Sequence, residues 1–203
     1  MKDNKRTDKV IAIYHAVEDF IAEGAELSNM RISDIAARAG IGKGTTYEYF
    51  TSKEELVVKA MVYLVGSMTK RIINSMEKMD SFHDKFMLLL AEMEEKVKQR
   101  ACILKYFHML GDLNLCEQMQ EIFFENKEAR ESNPMRIIRY LLEEGRKEGI
   151  IGTNYSQAYM ETAMFSKIIG FVVYVDNVFG NKDCDNELIK RNIYDGLCRE
   201  LGA

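Results

Sequence analysis

The sequence predicts an all-α protein of about nine helices. Three observations support this prediction: the 203 residues include a single proline, apolar residues recur at helical spacing, and no Asn-Gly or Asp-Gly turn joins alternating strand-like segments. Apolar residues make up 47% of the chain and charged residues 30%, so a sizeable core can form. This composition excludes a disordered, collagen-like or disulfide-stapled chain.

Targeting signals and cysteine pairs are not visible. Residues 1–9 are polar, and the longest clean apolar run, 168–175, has eight residues, far fewer than the ~20 that a bilayer requires. The four cysteines show no CxxC pairing, which favours reduced thiols over disulfides or zinc. We therefore expect a cytoplasmic protein with no membrane partner.

The charge is unevenly placed along the chain. The formal net charge is −4, from 28 Lys or Arg and 32 Asp or Glu. Residues 1–53 contain eight of each sign, with the positive groups in an N-terminal arm (1–9) and in 28–53, on either side of an acidic stretch. A phosphate backbone responds to charge within about 8–10 Å. The two positive stretches thus permit a nucleic-acid partner, although solvated faces are the simpler explanation of charge alone.

Four helices are predicted in the first third of the chain. The first, ending near Gly24, has apolar positions at Val10, Tyr14, Val17 and Ile21. A short helix over 32–39 is followed by Gly40, because a left-handed backbone after a helix is easiest for glycine. A third short helix covers 43–50. A capping box then opens a long helix to about residue 76, with Ser52 accepting from a free N–H and Glu55 reaching back.

The rest of the chain also reads as helical. Apolar stripes predict helices near 81–98, 101–113 and 116–130. Asn133 as N-cap and Pro134 at the first helical position open another helix, which stops at Gly149. The segment 157–179 contains a β-branched run but no partner strand is predicted, so it is interpreted as a helix. A last helix carries a stripe at strict four-residue spacing: Ile189, Ile193, Leu197 and Leu201.

The two short helices separated by Gly40 have the layout of a helix-turn-helix, whose second helix enters the major groove. At 100° per residue, Thr46, Tyr47 and Phe50 can face the core. The positions that then point outward are Gly44, Thr45, Glu48 and Tyr49. Tyr47 stays open between core packing and a DNA contact, and the layout alone is a weak signal.

The residues around this turn resemble a known family. Residues 33–50 read SDIAARAGIGKGTTYEYF and 52–56 read SKEEL. They are similar to the TetR-type signature, roughly D-I-A-x-x-A-G-V-S-x-G-T-x-Y-x-Y/H-F-x-s-K-E-x-L, over about residues 8–60. The resemblance implies a homodimeric transcription factor with a DNA-binding domain (1–52) and a helical effector-binding and dimerisation domain (53–203), in which the effector moves the two DNA-reading heads apart.

The same resemblance places Gly44, Thr45, Tyr47 and Tyr49 where the family contacts DNA. The candidate DNA-binding residues are Lys43, Gly44, Thr45, Tyr47, Glu48, Tyr49 and Lys53. Lys53 falls at the amino end of the fourth helix, where the family contacts phosphate, and a cation beside free N–H groups suits that role. Gly44 allows a close approach of backbones, and Thr45 offers a hydroxyl or a methyl group to a base edge.

Three positions depart from the family pattern. Arg31 stands where a threonine cap is usual, so Ser28 or Asn29 becomes the candidate cap. Gly42 replaces the common serine cap of the recognition helix. Glu48 stands where His, Tyr or Trp is frequent, and its carboxylate repels phosphate but can accept from cytosine N4. These departures affect which operator sequence the protein would bind, and they leave the expected class of protein unchanged.

The region 60–180 is rich in methionine and aromatic side chains, which suit adaptable apolar pockets but also fill ordinary cores. The candidate effector-pocket residues are Met61, Met68, Phe86, Met87, Phe107, Phe123, Tyr140, Met164 and Phe171. His83 and His108 could hydrogen-bond a ligand. Cys and His spacing fits no metal site, and no hydrolase or nucleotide-binding motif appears. We therefore expect no metal, cofactor or catalysis.

An apolar helix over 157–179 must be covered on every side. One face of this helix can pack on its own domain. Homodimerisation through this helix and the last one is the economical explanation for how its remaining faces are covered. Burial in the centre of the single chain is the alternative. The candidate dimer residues are Phe171, Val172, Val175, Phe179, Ile189, Ile193 and Leu197.

The leading hypothesis is a repressor that binds double-stranded operator DNA and is released by a small, largely hydrophobic effector. A TetR-like architectural or division-control protein without an effector is the alternative, and a closed C-terminal domain would favour it. Transcriptional activation stays open as well. An enzyme would rest only on isolated Cys and His residues.

Overall fold

The computed structural model describes residues 2–26, 29–99, 113–125, 130–176 and 185–202. Within these ranges the chain forms nine helices and no strand, which confirms the all-α fold. In chain order they are α1 (Lys2–Ala22), α2 (Ile32–Arg38), α3 (Lys43–Tyr47), α4 (Lys53–Met76), α5 (Phe82–Lys98), α6 (Leu113–Glu125), α7 (Met135–Lys147), α8 (Gln157–Val175) and α9 (Asn186–Leu201). The helix predicted over 101–113 lies, apart from its last residue, outside the described residues.

The chain divides into two compact units. The first is formed by Met1–Met68 and Gln99–Asn133, and the second by Thr69–Lys98 and Pro134–Ala203. Helix α4 begins in the first unit and ends in the second. The functional boundary expected between residues 52 and 53 stays a prediction.

Helix α1 starts earlier than its apolar stripe indicates. It begins at Lys2, so most of the expected arm, 1–9, is helical. The stretch before Val10 contains neither glycine nor proline, and a helix can therefore extend through it. Further along, Ile13 and Val17 are completely buried and anchor α1 in the core of the first unit.

The turn between α2 and α3 has the predicted glycine geometry. Gly40 has φ +67°, a left-handed conformation that strains any residue with a Cβ. Its N–H donates to the carbonyl of Ala37 at 3.1 Å, and the N–H of Ile41 donates to that of Ala36 at 2.9 Å. This pair of bonds is a Schellman motif, and it confirms the predicted end of α2.

Helix α3 is shorter than the predicted span of 43–50. It ends at Tyr47, and the N–H groups of Tyr49 and Phe50 both donate to the carbonyl of Thr46 at 3.1 Å. Thr46 is completely buried, and Phe50 is 2% exposed. These two side chains fix α3 on the core of the first unit.

The start of α4 carries the predicted serine cap, since the N–H of Glu55 donates to Oγ of Ser52 at 3.1 Å. The carboxylate of Glu55 reaches one residue further back than a standard capping box, to Thr51. Further along α4, a Cβ on Gly66 would lie 2.6 Å from Cβ of Ser132. Glycine there lets the segment before α7 lie directly against α4 in the first unit.

Helix α7 begins one residue later than predicted. Pro134 is its N-cap, with no side-chain cap bond, and the helix starts at Met135; the expectation of Asn133 as N-cap was wrong by one position, within the usual uncertainty of helix ends. The predicted stop is confirmed, because Gly149 has φ +71° and follows the last helical turn.

Helices α5, α7, α8 and α9 build the core of the second unit, with α8 packing on the other three. The large side chains that are almost fully buried there include Phe82, Phe86, Leu89, Leu90, Leu141, Leu142, Phe171 and Leu197. Charged groups are buried alongside: Nζ of Lys190, a residue 4% exposed, lies 2.6 Å from a carboxylate oxygen of Glu94.

The apolar segment after residue 157 is a helix, as predicted, described as far as Val175. By length and composition α8 alone among the described helices could cross a bilayer, with a mean hydropathy of 1.3, a property shared by core helices of soluble proteins. Its charged residues pair within the second unit: Glu161 with Arg139 at 3.0 Å, and Lys167 with Glu200 at 2.7 Å. These pairs indicate a helix packed against protein.

Candidate nucleic-acid interface

An open depression of about 610 Å³ lies in the first unit, where the starts of α2, α3 and α4 meet. We call it the cationic depression. Its lining residues are Asn29, Met30, Arg31, Ile32, Ser33, Lys43, Tyr47 and Lys53. Three segments that are separate in the sequence thus form one surface.

Three of these lining residues are cations, Arg31, Lys43 and Lys53, and none is acidic. Arg31 is the N-cap of α2 and has extended backbone geometry, while Lys53 opens α4. Cations grouped with helix N-termini attract phosphate oxygens, because the first N–H groups of each helix lack intrahelical partners. The depression can therefore bind an anionic backbone.

The candidate residues of α3 divide by exposure. Lys43, Gly44 and Glu48 are exposed and Thr45 is half-buried. Tyr47 is 49% exposed and lines the cationic depression, so core packing is excluded for this side chain. The helical-wheel placement of Tyr47 with the core was wrong, because Tyr47 lies about 100° from the buried Thr46 on the wheel, at the margin of the buried face, and this margin is open to solvent.

Tyr49 was expected to point outward with Glu48. It is half-buried, and its ring lies 6.5 Å from that of Phe50 at an interplanar angle of 71°. Part of its surface therefore packs on the core of the first unit, and the rest is open to solvent.

Sequence reasoning missed the contribution of the start of α2. Asn29, Arg31 and Ser33 line the cationic depression, whereas the sequence singled out Arg31 only as a departure from a capping pattern. Arg31 lacks a side-chain cap bond, and Ser28, one of the two proposed caps, lies outside the described residues. The sequence feature that could have indicated Arg31 is its position, since it is a cation at the N-cap of the helix that precedes the recognition helix.

The remaining cation of the turn region has a structural role. Arg38 lies 2.6 Å from a carboxylate oxygen of Glu23, and its guanidinium is 3.9 Å from the ring centre of Phe20. These contacts join α2 to the end of α1 and stabilise the first unit.

The predicted effector-pocket residues are buried or half-buried in separate units. Met61, Met68 and Phe123 are buried in the first unit. Those of the second unit are Phe86, Met87, Tyr140, Met164 and Phe171. Phe107 lies outside the described residues. Each described side chain thus belongs to the interior of its unit, and their grouping around one ligand stays a prediction.

The predicted dimer residues differ in how far they are buried within the single chain. Phe171, Val172 and Leu197 are at most 1% exposed within the single chain, because this part of the stripe faces the core of the second unit. Placing those three on an outer face was therefore wrong. Half-buried positions remain on the two helices: Val175, Ile189 and Ile193. Phe179 lies outside the described residues.

Among the described residues, no group of three or more His, Cys, Asp or Glu is placed to hold a metal ion. Cys116 and Cys198 are free thiols, while Cys102 and Cys184 lie outside the described ranges. His83 is exposed and contacts Asp84 at 3.1 Å, and His108 is not described.

Residues 16–60 match the model of bacterial regulatory proteins of the tetR family. This segment contains the helix-turn-helix and most of the cationic depression. The match supports a TetR-type helix-turn-helix in this segment, and the all-α fold agrees with it; the chain is thus similar to the DNA-binding transcriptional regulators of that family.

Two proteins of Bacillus subtilis (strain 168) are similar over most of the chain. A protein named uncharacterized HTH-type transcriptional regulator YhgD is 26% identical over 143 residues, 70% of this chain and 71% of its own. A fatty acid metabolism regulator protein is 26% identical over 155 residues, 72% and 73% of the two chains. The crystal structure of the transcriptional regulator FadR from B. subtilis with stearoyl-CoA is 19% identical, covers 93% of this chain and 97% of that one, and has a TM-score of 0.68. This likeness supports the fold.

Proposed function

We propose that the protein is a homodimeric repressor, in which residues 1–52, together with Lys53 at the start of α4, bind double-stranded operator DNA through the cationic depression and the exposed face of α3. A largely hydrophobic small molecule, bound within residues 53–203, releases it. The protein works in the cytoplasm by binding alone, without cofactor or catalysis.

The observation that carries this proposal is the meeting of three cations beside an exposed aromatic residue of the recognition helix. Arg31, Lys43 and Lys53 line the same depression as Tyr47. Cations there set the register on the phosphate backbone, and the neighbouring positions Thr45 and Glu48 can read base edges. Glu48 opposes phosphate binding, so it adds discrimination between sequences rather than affinity.

For the effector, a fatty acyl-CoA is the first candidate. Two of the matches point to this class by their names: the fatty acid metabolism regulator protein of B. subtilis, and the B. subtilis FadR structure with stearoyl-CoA. The interiors of both units contain methionines, including Met61, Met68 and Met164. Because methionine is flexible and unbranched, such interiors can rearrange around an alkyl chain.

The dimer is proposed to form through α8 and α9. Among the described residues, a Cβ added to Gly170 or Gly196 would meet no atom within 4 Å, so neither glycine is covered there. Ile189, Ile193 and Val175 are half-buried apolar side chains on the same two helices. A two-fold dimer presents two recognition helices to two half-sites of DNA.

Analytical ultracentrifugation tests the dimer. We expect a dimer at micromolar concentration, and a shift toward monomer in Ile193→Glu, because a charge cannot be buried there without a partner. Asn192→Glu, at an exposed neighbour on α9, is the matched control and should remain dimeric. A wild-type protein that sediments only as monomer would overturn the dimer.

The effector switch is tested on a duplex that the wild-type protein selects from a random-sequence DNA library. Stearoyl-CoA should raise the thermal midpoint of the protein and release it from this duplex, while coenzyme A without an acyl chain should do neither. If stearoyl-CoA stabilises the protein but leaves DNA affinity unchanged, the coupled switch is wrong for this ligand. A reporter gene placed behind the selected duplex separates repression from activation.

A further inference from the structure

The connection between the recognition helix α3 and helix α4 is short and hydrogen-bonded at both ends. Only residues 48–52 separate the end of α3 at Tyr47 from the start of α4 at Lys53. The first half of this link is fixed by the backbone bonds to the carbonyl of Thr46. The second half is tied by a side chain of α4.

That side chain is Glu55. One carboxylate oxygen accepts from both the backbone N–H and the hydroxyl of Thr51, each at 2.6 Å. The other oxygen accepts from Nζ of Lys59 at 2.7 Å. One carboxylate therefore joins the link before α4 to the second turn of the same helix, and charge-assisted bonds of this kind are among the stronger ones in proteins.

We infer that Glu55 is a positioning residue for DNA binding: by holding Thr51, its carboxylate fixes α3 and the neighbouring Lys53 in the arrangement that meets DNA. The inference rests on the proposed DNA-binding function. Glu55 does not line the cationic depression, so it acts through Thr51 rather than by touching DNA.

The carboxylate stays charged under ordinary conditions. Hydrogen bonds from Lys59 and Thr51 lower the pKa of Glu55 to about 2. Nearby, burial and the charge of Glu55 raise the pKa of Tyr14 to about 12, so the phenol stays neutral. Across physiological pH, Glu55 therefore stays ionised and Tyr14 stays neutral.

Charge alone predicts the opposite effect of removing this carboxylate. An acidic group close to a DNA-binding surface repels phosphate, so neutralising it should strengthen binding. Glu54, the adjacent and exposed residue in the first turn of α4, allows a direct comparison. Glu54→Gln and Glu55→Gln remove the same charge from neighbouring positions. The carboxylate of Glu54 bonds to the cap residue Ser52, whereas that of Glu55 holds Thr51, so only the second variant weakens the hold on Thr51.

The experiment measures the affinity of each variant for the duplex selected by the wild-type protein, corrected for the fraction of active protein. We expect Glu55→Gln to bind about tenfold more weakly, as the loss of charge-assisted bonds predicts. Glu54→Gln should bind as tightly as the wild type or more tightly. Thr51→Val removes the hydroxyl donor and should reproduce part of the loss, and the double variant Thr51→Val with Glu55→Gln should lose less than the sum.

Equal or tighter binding by Glu55→Gln would overturn the inference and leave DNA binding intact. A loss that disappears after correction for active protein would also overturn it, since it would reflect folding alone. If the wild-type protein selects no duplex at all, the proposed function itself is wrong, and this inference is wrong with it.

Discussion

Lys53 opens α4 at the edge of the cationic depression, where its charge adds to the helix N-terminus. Lys53→Ala should weaken binding to every DNA sequence alike and reduce the slope of log affinity against log salt by about one, because one phosphate contact is lost. Filter binding over a range of salt concentrations measures both. Lys70→Ala, at an exposed lysine of the same helix, is the control. An unchanged slope in Lys53→Ala would contradict the phosphate role.

Substitution of Gly40 tests whether the turn between α2 and α3 requires a left-handed backbone conformation at this residue. No atom lies within 4 Å of a Cβ placed there, yet φ is +67°, so the cost of Gly40→Ala is conformational rather than steric. We expect a loss of about 1 kcal/mol in the free energy of unfolding, measured by urea denaturation at fixed protein concentration. If Gly40→Ala were as stable as the wild type, the expected backbone strain of alanine at this position would be refuted.

At the scale of elements, α5 and α9 are joined by buried charge. Lys190 lies between Glu94 and Glu187, at 2.6 and 2.7 Å. Lys190→Met should lower the free energy of unfolding by about 3 kcal/mol, because a buried carboxylate loses a partner. Lys98→Met removes a mostly exposed partner of the same Glu94 and should cost less than about 1 kcal/mol. Similar losses in the two variants would contradict the importance of burial.

The same cluster gives the second unit a defined acid sensitivity. Burial raises the pKa of Glu94, but hydrogen bonds from Lys190, Lys98 and Asn186 outweigh it and lower the pKa from the usual 4.5 to about 2. The stability that ionised Glu94 contributes is therefore complete above pH 4.5 and is lost as the pH falls through 2.

The stability difference between the wild type and Glu94→Gln should accordingly shrink as the pH falls from about 5 to about 2. Denaturation curves across this range measure it. Glu143→Gln, at an exposed position of α7 in the same unit, should show a small difference at every pH. A difference for Glu94→Gln that stays constant with pH would contradict the assignment.

Sequence patterns predicted elements better than their ends. Gly40 and Gly149 marked helix ends correctly, because a left-handed residue after a helix is a local property of the chain. The end of α3 was misplaced, since the burial of Thr46 and Phe50 holds residues 48–50 in a turn that local propensity does not encode. Similarly, the stripe on α9 identified a buried face but not which chain covers it.

At the scale of the whole molecule, the candidate site depends on segments that are distant in sequence. The resemblance to a family indicated Tyr47 and Lys53, but the contribution of Arg31 arises only when α2 packs beside α3. The acidic total charge of −4 therefore says little about the partner. The partner is decided by the local grouping of Arg31, Lys43 and Lys53 around one depression, whereas Arg38 lies outside that group and pairs with Glu23.

Selection of duplexes from a random-sequence DNA library tests the central claim most directly. The account predicts one enriched motif made of two inverted half-sites, centred one helical turn or a small multiple of it apart, with binding that falls steeply as salt rises. Replacing Arg31, Lys43 and Lys53 together by alanine should abolish the enrichment while the protein still unfolds cooperatively. A library that remains random after repeated selection by the folded wild-type protein would contradict the account.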